Sequence, residues 1–455
     1  MKKLFCSIAA ILAYCFVTTT ATIQKPTLDT TSTTTQNLSS NKNPQNNQPK
    51  KDWNFLVYIT ANNDLYRFAL KNINQMLKVG SSQHINVIVQ MDTYGKSEVC
   101  RYYVEKNNLI PLNLQSNNLE STSGTPESLY KFVEWSTTNF AAEHQALVIW
   151  DHGSGIEDPA GWRKLWQGIE KLEEKGIAFN EIFQTYINNQ GLTSALEGIS
   201  KNLLAGKKVD IVAMDACNMA MLEVGSQIKE YVDFMVGSEN VEPGTGWNYE
   251  LVLKEFQQKT MTPEEFAKHM VNKYREAYYI SGIKYTQSAI NLNKHAQLEQ
   301  NIDTVAGFLL SFLSSKDKIK ILNQIKRIRN SRMLTTVFPD DAYTSNGNYI
   351  DLYHFYKSLL EKLNQLYPSI KDIDKLKSLT FFLYNGLNII LENVIENAAS
   401  PNLKDTKGVA VYFPTNQIHS SYPKTIFAQD NQWKTFLQKY IKETKQIYGK
   451  NKKIL

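Results

Sequence analysis

Two apolar segments of this chain each lead into a residue whose side chain can do covalent chemistry. Residues 146–150 precede His152, and residues 209–214 precede Cys217. Short apolar runs are typical of buried strands, and open α/β sheets present reactive groups at the carboxyl ends of such strands. An imidazole beside a thiol supplies the base and the nucleophile of a cysteine hydrolase. His152 and Cys217 are therefore the candidate catalytic residues.

The residues around this pair indicate further roles. Gly153 and Gly155 follow the histidine, and no side chain shields a glycine N–H from a developing oxyanion. We expect the N–H groups of Gly153 and Cys217 to form the oxyanion hole. Residues 218–224 are predicted to be a helix, whose positive end lowers the pKa of a thiol in its first turn. The alternatives are a simple Gly-Ser-Gly turn with a capping histidine, and an inert core cysteine.

The ends of the chain predict export. Residues 1–21 combine two lysines, an apolar run and a small-residue end, which is the layout of a secretory signal peptide. The apolar run is shorter than the roughly 20 residues of a membrane-spanning helix, so we expect no membrane span in the mature chain. Residues 22–51 are predicted to be a flexible spacer rich in Thr, Ser, Asn and Gln, and 442–455 a Lys-rich tail. The expected location is secreted, periplasmic or cell-surface.

Charge and cysteine content argue against two other classes of protein. The net charge of +6 over 455 residues is modest, and no basic stripe is interleaved with aromatic residues, so nucleic-acid binding has little support. Of the four cysteines, Cys100 and Cys217 lie beyond the predicted signal peptide, so the chain is not a disulfide scaffold. A single bond between these two cysteines stays open as an alternative.

The order of apolar and amphipathic segments predicts an α/β fold. Apolar runs typical of strands alternate with amphipathic stretches such as 65–79 and 127–140. Continuous apolar strands separated by helices indicate a largely parallel central sheet flanked by helices. We place this catalytic domain at 52–292. A mostly helical C-terminal addition is predicted at 293–441, with helices at 298–313, 319–328 and 349–366 and a late strand at 408–414.

The two strand ends resemble those of clostripain-type cysteine endopeptidases, which are relatives of caspases, legumain and gingipains. The likeness runs from about residue 53 to residue 441. It implies a caspase-like sheet, a dyad of His152 and Cys217 that requires no third residue, and protein or peptide substrates cut after Arg or Lys. The other segments that carry the likeness lie at 61–65, 175–179, 237–239, 242–247, 287–292 and 408–414.

The substrate pocket implied by this resemblance requires an acid. A buried Arg or Lys side chain without a carboxylate partner is costly. Asp215, two residues before Cys217, lies where the family keeps such an acid. An Asp between a strand and a helix is equally a natural N-cap, and both interpretations stay open. The secondary candidates for the pocket are Glu239, Glu242, Thr245 and Trp247.

Self-processing and metal binding are the remaining implications of the resemblance. Lys171 and Lys175 are the favoured sites of self-cleavage between the catalytic residues, although 162–172 also has the spacing of a surface helix. The chemistry needs no cofactor. Ca2+ dependence is implied as an option by the resemblance, but the sequence holds no EF-hand loop and no HExxH pair. The oxygen-bearing residues at strand ends are interpreted as caps of helices and turns, so no metal site is assigned: Asn62, Asn63, Asp64 and Asp92.

Two other functions compete with the peptidase. A secreted non-catalytic binding protein could keep a caspase-like fold, but the intact His152, Gly153 and Cys217 argue against it. An esterase that uses Ser154 is disfavoured because no G-x-S-x-G elbow surrounds that serine.

Overall fold

The computed structural model describes residues 49–92, 94–95, 99–112, 123–156, 176–331 and 347–448. The strands are β1 (Lys51–Ile59), β2 (Ile85–Asp92), β3 (Val99–Glu105), β4 (Asn108–Pro111), β5 (Ala142–Trp150), β6 (Gly176–Asn180), β7 (Thr185–Asn188), β8 (Val209–Asp215), β9 (Val232–Gly237), β10 (Thr286–Asn291), β11 (Tyr349–Asp351), β12 (Val394–Ala399) and β13 (Ala410–Tyr412). The α-helices are α1 (Tyr66–Val79), α2 (Pro126–Asn139), α3 (Asn189–Gly198), α4 (Leu222–Ile228), α5 (Tyr249–Lys254), α6 (Pro263–Tyr278), α7 (His295–Leu313), α8 (Lys318–Ser331), α9 (Leu352–Leu366), α10 (Ile373–Asn393), α11 (Ile426–Asp430) and α12 (Trp433–Tyr448).

A nine-stranded sheet in the order β12-β10-β9-β8-β5-β1-β2-β3-β4 forms the centre of the molecule. The five middle strands, β9 to β2, are parallel. Antiparallel strands extend the sheet at both edges, β10 and β12 on one side and β3 and β4 on the other. The expected largely parallel sheet is confirmed, and the antiparallel edges are an addition to it.

Helices cover both faces of this sheet because its inner strands are apolar on both sides. In β1, Leu56 and Tyr58 belong to one buried cluster, which includes residues of α2, α3 and α7. Phe55 and Val57 face the opposite way and belong to a second cluster with residues of α1, α5 and α6. Successive strand residues point to opposite faces, so each face acquires its own apolar layer.

The C-terminal region contains α7 to α12 and a small antiparallel sheet of β11 and β13. The sequence predicts a helix from residue 349, but the helix begins at Leu352. The side chain of Asp351 accepts the N–H of His354 as an N-cap, and the three residues before the helix pair with β13. The predicted late strand is confirmed as β13. No α-helix among the described residues is long and apolar enough to cross a membrane.

Candidate active site

The ends of β5 and β8 bring the two candidate catalytic residues to one edge of the sheet. These strands are parallel neighbours with Trp150 opposite Asp215, and the N–H of Asp151 donates to the carbonyl of Asp215 at 3.3 Å. A Cβ atom on Gly153 would lie 2.4 Å from the carbonyl oxygen of Cys217, so only glycine permits this approach of the two backbones. His152 and Cys217 therefore leave neighbouring strands side by side.

Cys217 and Asn218 form a turn and residues 219–221 are extended, so the predicted start of the helix at residue 218 is wrong. The N–H of Ala220 donates to Ser238 at 2.9 Å, and Ala220 accepts from the N–H of Ala410 at 2.9 Å. Asn218 adopts a left-handed φ of 59°, and α4 begins only at Leu222. The apolar residues 219–221 lie buried between the end of β9 and β13, and these tertiary contacts override their helical pattern.

The Cys217 thiol lies in an environment that keeps it protonated. Its sulfur accepts the backbone N–H of Glu242 at 3.3 Å. Removal of the sulfur from water raises the pKa of the thiol to about 11, and the Asp215 and Asp151 carboxylates add to this effect. The expected lowering of the pKa by a helix N-terminus is therefore wrong, because no helix begins at Cys217. Cys100 and Cys217 are both free cysteines, so the alternative of a disulfide between them is also wrong.

The His152 imidazole is held by the turn that follows β1. Its Nε2 lies 2.7 Å from Oδ1 of Asp64, and 17% of the histidine side chain is exposed. Behind this contact, Nδ2 of Asn63 donates to Oδ1 of Asp151 at 2.7 Å and to the carbonyl of Phe179 at 2.8 Å. The turn at Asn63 and Asp64 thus contacts both residues that follow β5.

Asp215 faces the loop that precedes α5. Its Oδ2 accepts the N–H of Trp247 at 3.2 Å and the hydroxyl of Tyr249 at 2.9 Å. Burial raises the pKa of Asp215 to about 6 in spite of these hydrogen bonds. The N-cap interpretation of Asp215 is wrong, because the N-cap of α4 is Met221. The loop approaches so closely that a Cβ on Gly246 would lie 2.8 Å from the carboxylate.

A second acid lies beside Asp215. Glu242 is buried, and neither of its carboxylate oxygens has a hydrogen-bond partner within the described part of the chain. Burial, followed by the charge of Asp215, raises the pKa of Glu242 well above its usual value. No Lys or Arg among the described residues forms an ion pair with either acid. The site therefore combines two desolvated carboxyl groups with which no Lys or Arg side chain of the described residues is paired.

The other pocket candidates divide into two groups. Thr245 and Trp247 lie in the loop around Asp215, with Oγ1 of Thr245 2.6 Å from the hydroxyl of Tyr278. Glu239 lies elsewhere, because its buried carboxyl group accepts the N–H of Gly408 at 3.0 Å, and the nearby Asp351 carboxylate adds to the effect of burial in raising its pKa. The structure therefore does not bring Glu239 together with Asp215.

Sequence reasoning missed two polar contacts of the site, those of Asp64 and Tyr249. The only signal for Asp64 was its place in an oxygen-rich turn at the end of a strand.

Among the described residues, no group of three or more His, Cys, Asp or Glu side chains is arranged to hold a metal ion. Asn62 accepts the N–H of Gly95 and Asp92 accepts the N–H of Ala61, so these two residues link the segment after β1 to the end of β2 and the residues that follow it.

A profile of the Clostripain family matches residues 57–443. The chain belongs to the clostripain family. It is accordingly a cysteine-type endopeptidase, as the sequence predicted. Clostripain from Hathewaya histolytica is 24% identical over 445 residues, which cover 85% of this chain and 79% of that protein.

Solved structures of clostripain-family proteases share this fold. The secreted C11 cysteine protease iotapain from Bacteroides thetaiotaomicron gives a TM-score of 0.57 at 14% identity, over 84% of this chain and 99% of that chain. An inactive zymogen C11 protease from Parabacteroides distasonis gives a TM-score of 0.56 at 17% identity, over 86% of this chain and 99% of that chain.

The predicted signal peptide, most of the spacer, and the cleavage candidates Lys171 and Lys175 lie outside the described residues.

Proposed function

We propose that this clostripain-family endopeptidase is exported and cleaves protein or peptide substrates after Arg or Lys. The pair of buried acids next to the thiol carries the proposal. Asp215 and Glu242 have no basic partner among the described residues, and both have raised pKa values because they are desolvated. A basic side chain of the substrate would supply the missing charge, and a desolvated carboxylate binds such a cation more strongly than an exposed one does.

The chemistry uses the two strand ends. His152 takes the proton from Sγ of Cys217, and the thiolate attacks the scissile carbonyl carbon to form a C–S bond and an oxyanion. The amine then leaves with the proton carried by the imidazolium, and water hydrolyses the resulting thioester to free the acid and regenerate the thiol. The N–H groups of Gly153 and Cys217 are the candidate donors to the oxyanion.

The backbone geometry at Gly153 supports this assignment. Gly153 pairs with Ile177 in an isolated antiparallel bridge, and the bridging hydrogen bond runs from the N–H of Ser154 to the carbonyl of Gly176 at 3.2 Å. In this pattern the N–H of the paired glycine is not the donor of the ladder. The amide of Gly153 is therefore directed away from that ladder.

Chromogenic peptides that differ only at the scissile residue test the specificity. We expect turnover of Arg and Lys peptides, little turnover of Asp or Asn peptides, and complete inhibition by thiol alkylation. Asp215→Asn removes the charge and keeps the shape, so kcat/KM for the Arg peptide should fall at least about 100-fold, as expected for a buried charge pair. Equal turnover of all four peptides would contradict the specificity, and activity in Cys217→Ala would contradict the mechanism. Absence of turnover would favour a non-catalytic binding protein.

We also propose self-processing at Lys171 or Lys175. The relative from Parabacteroides distasonis is described as an inactive zymogen, which supports this proposal. Purified wild type is expected to separate into two fragments on a denaturing gel, whereas Cys217→Ala stays one chain. Identical migration of both proteins as single full-length chains would contradict self-processing.

A further inference from the structure

We propose that Asp64 is a positioning residue that orients the His152 imidazole for proton transfer, so that the expected dyad works with a third residue. This inference rests on the proposed roles of His152 and Cys217. It starts from one contact, the 2.7 Å distance between Oδ1 of Asp64 and Nε2 of His152. An ionised carboxylate only accepts hydrogen bonds, so Nε2 carries the hydrogen and donates it.

The protonation state of Asp64 agrees with this assignment. The hydrogen bond from His152, together with its charge when protonated, lowers the pKa of Asp64 even though partial burial opposes the shift. Asp64 is therefore ionised at neutral pH. A carboxylate that accepts from one ring nitrogen selects one tautomer of a neutral imidazole, in which the opposite nitrogen, Nδ1, is basic. Nδ1 is then the atom that takes the thiol proton and delivers it to the leaving amine, while Asp64 stays ionised throughout.

The scaffold beneath the contact holds Asp64 in register with His152. Strands β1 and β5 are parallel neighbours with Ile59 opposite Trp150, so the turn after β1 faces the residues after β5. Asn63 ties the two segments together below the contact, since its amide donates to Asp151 at 2.7 Å and its Oδ1 accepts the N–H of Leu65 at 2.9 Å. Consecutive residues of one turn thus contact consecutive residues of the other. Such a paired arrangement fixes the distance and the orientation of the ring better than an isolated surface ion pair does.

A second acid near the ring makes the environment of His152 more negative but has a different role. Glu181 is close enough that Asp64 contributes to raising its pKa and the histidine to lowering it, after the larger effect of burial. Its backbone N–H donates to the carbonyl of Asn62 at 3.2 Å. Glu181 is therefore part of the turn's support, whereas Asp64 is in direct contact with the imidazole.

Steady-state kinetics of Asp64→Ala and Asp64→Asn test the inference on a basic peptide substrate. We expect Asp64→Ala to lower kcat about 10- to 100-fold, the scale expected when a catalytic group is misplaced by about 1 Å, with KM changed less than about threefold. Asp64→Asn retains an oxygen acceptor of the same shape and should restore part of kcat. A structural role would instead lower the thermal midpoint and change both kinetic constants.

The chain offers a matched control for these variants. Asp52 lies at the opposite end of β1 and contacts Nδ1 of His84 through Oδ2, also at 2.7 Å and in a partly exposed setting. Asp52→Ala should leave kcat and KM unchanged. An unchanged kcat in Asp64→Ala, or an equal loss in Asp52→Ala, would overturn the positioning role. His152→Ala separates this failure from failure of the proposed function, because retained activity in that variant contradicts the catalytic pair itself.

Discussion

Alkylation of Cys217 in the substrate-free enzyme is expected to be slow at neutral pH and to accelerate about tenfold per pH unit until the thiol ionises. The cause is the pKa of about 11 that desolvation and the nearby Asp215 and Asp151 give the thiol. At pH 7 such a thiol is ionised to about 1 part in 10,000, against about 3% for an ordinary cysteine with a pKa near 8.5. The more basic thiolate is about 13-fold more nucleophilic at a Brønsted slope of about 0.45. The net result is alkylation about 25-fold slower than that of free cysteine at pH 7.

The assay follows the carbamidomethylated Cys217 peptide by mass spectrometry after timed exposure to iodoacetamide between pH 6 and pH 10. Free cysteine in the same buffers provides the reference rate, and following the peptide separates Cys217 from Cys100. A rate that reaches its plateau below pH 8 would refute the reasoning, because it would show a thiolate already present in the resting enzyme. His152→Ala should abolish turnover yet leave this profile nearly unchanged, since the imidazole acts when the peptide is bound.

The same experiment tests whether the substrate pocket is electrically coupled to the nucleophile. The sulfur accepts the N–H of Glu242, and the charge of Asp215 disfavours the thiolate. A cation bound between these acids would offset that charge. Methylguanidinium should therefore accelerate alkylation at pH 7.5, whereas the neutral isostere methylurea should not, and Asp215→Asn should lose the effect. Protection of Cys217 by methylguanidinium would contradict the coupling.

Two further substitutions test the roles of the buried carboxyl groups of Asp215 and Glu223. Gly246→Ala places a Cβ 2.8 Å from the Asp215 carboxylate, so KM for a basic peptide should rise more than kcat falls. Gly206→Ala is the control, because Gly206 also has a left-handed φ but nothing lies within 4 Å of its added Cβ, and this variant should leave both constants unchanged. Equal effects in the two variants would assign the change to backbone strain. Burial raises the pKa of the Glu223 carboxyl group from 4.5 to about 8. The unfolded chain releases this proton at a lower pH than the folded protein does, so the free energy of unfolding decreases as the pH rises from about 4.5 through 8. The loss amounts to at most about 5 kcal/mol, from about 1.36 kcal/mol per pKa unit. Glu223→Gln keeps an acceptor for the N–H of Tyr412 and should remove this slope in urea unfolding series at pH 5 and pH 8.5, whereas parallel slopes in both proteins would contradict a protonated Glu223.

The sequence predicts the parts of the site that depend on local pattern. The runs before His152 and Cys217 are apolar on both faces because β5 and β8 are central strands, and this is visible without coordinates. Strand direction is less visible, because β10 is buried over most of its length like the parallel strands yet runs antiparallel to β9. The extended segment at residues 219–221 was not predicted for a related reason, because its backbone hydrogen-bond partners lie far away in the chain.

The contribution of the C-terminal region to the segments around Cys217 was also not predictable, because the residues in contact lie far apart in the sequence. The N–H groups of Gly408, Ala410 and Tyr412 donate to the Glu239 side chain, the Ala220 carbonyl and the Glu223 side chain. A buried acceptor that loses its donor costs about 1–3 kcal/mol, so these three contacts together are comparable with a large part of the stability of a domain. The predicted domain boundary at residue 292 therefore separates two parts of the sequence that are connected by buried hydrogen bonds in the structure. The C-terminal region fixes the extended segment before α4, and the position of the nucleophile depends on these contacts.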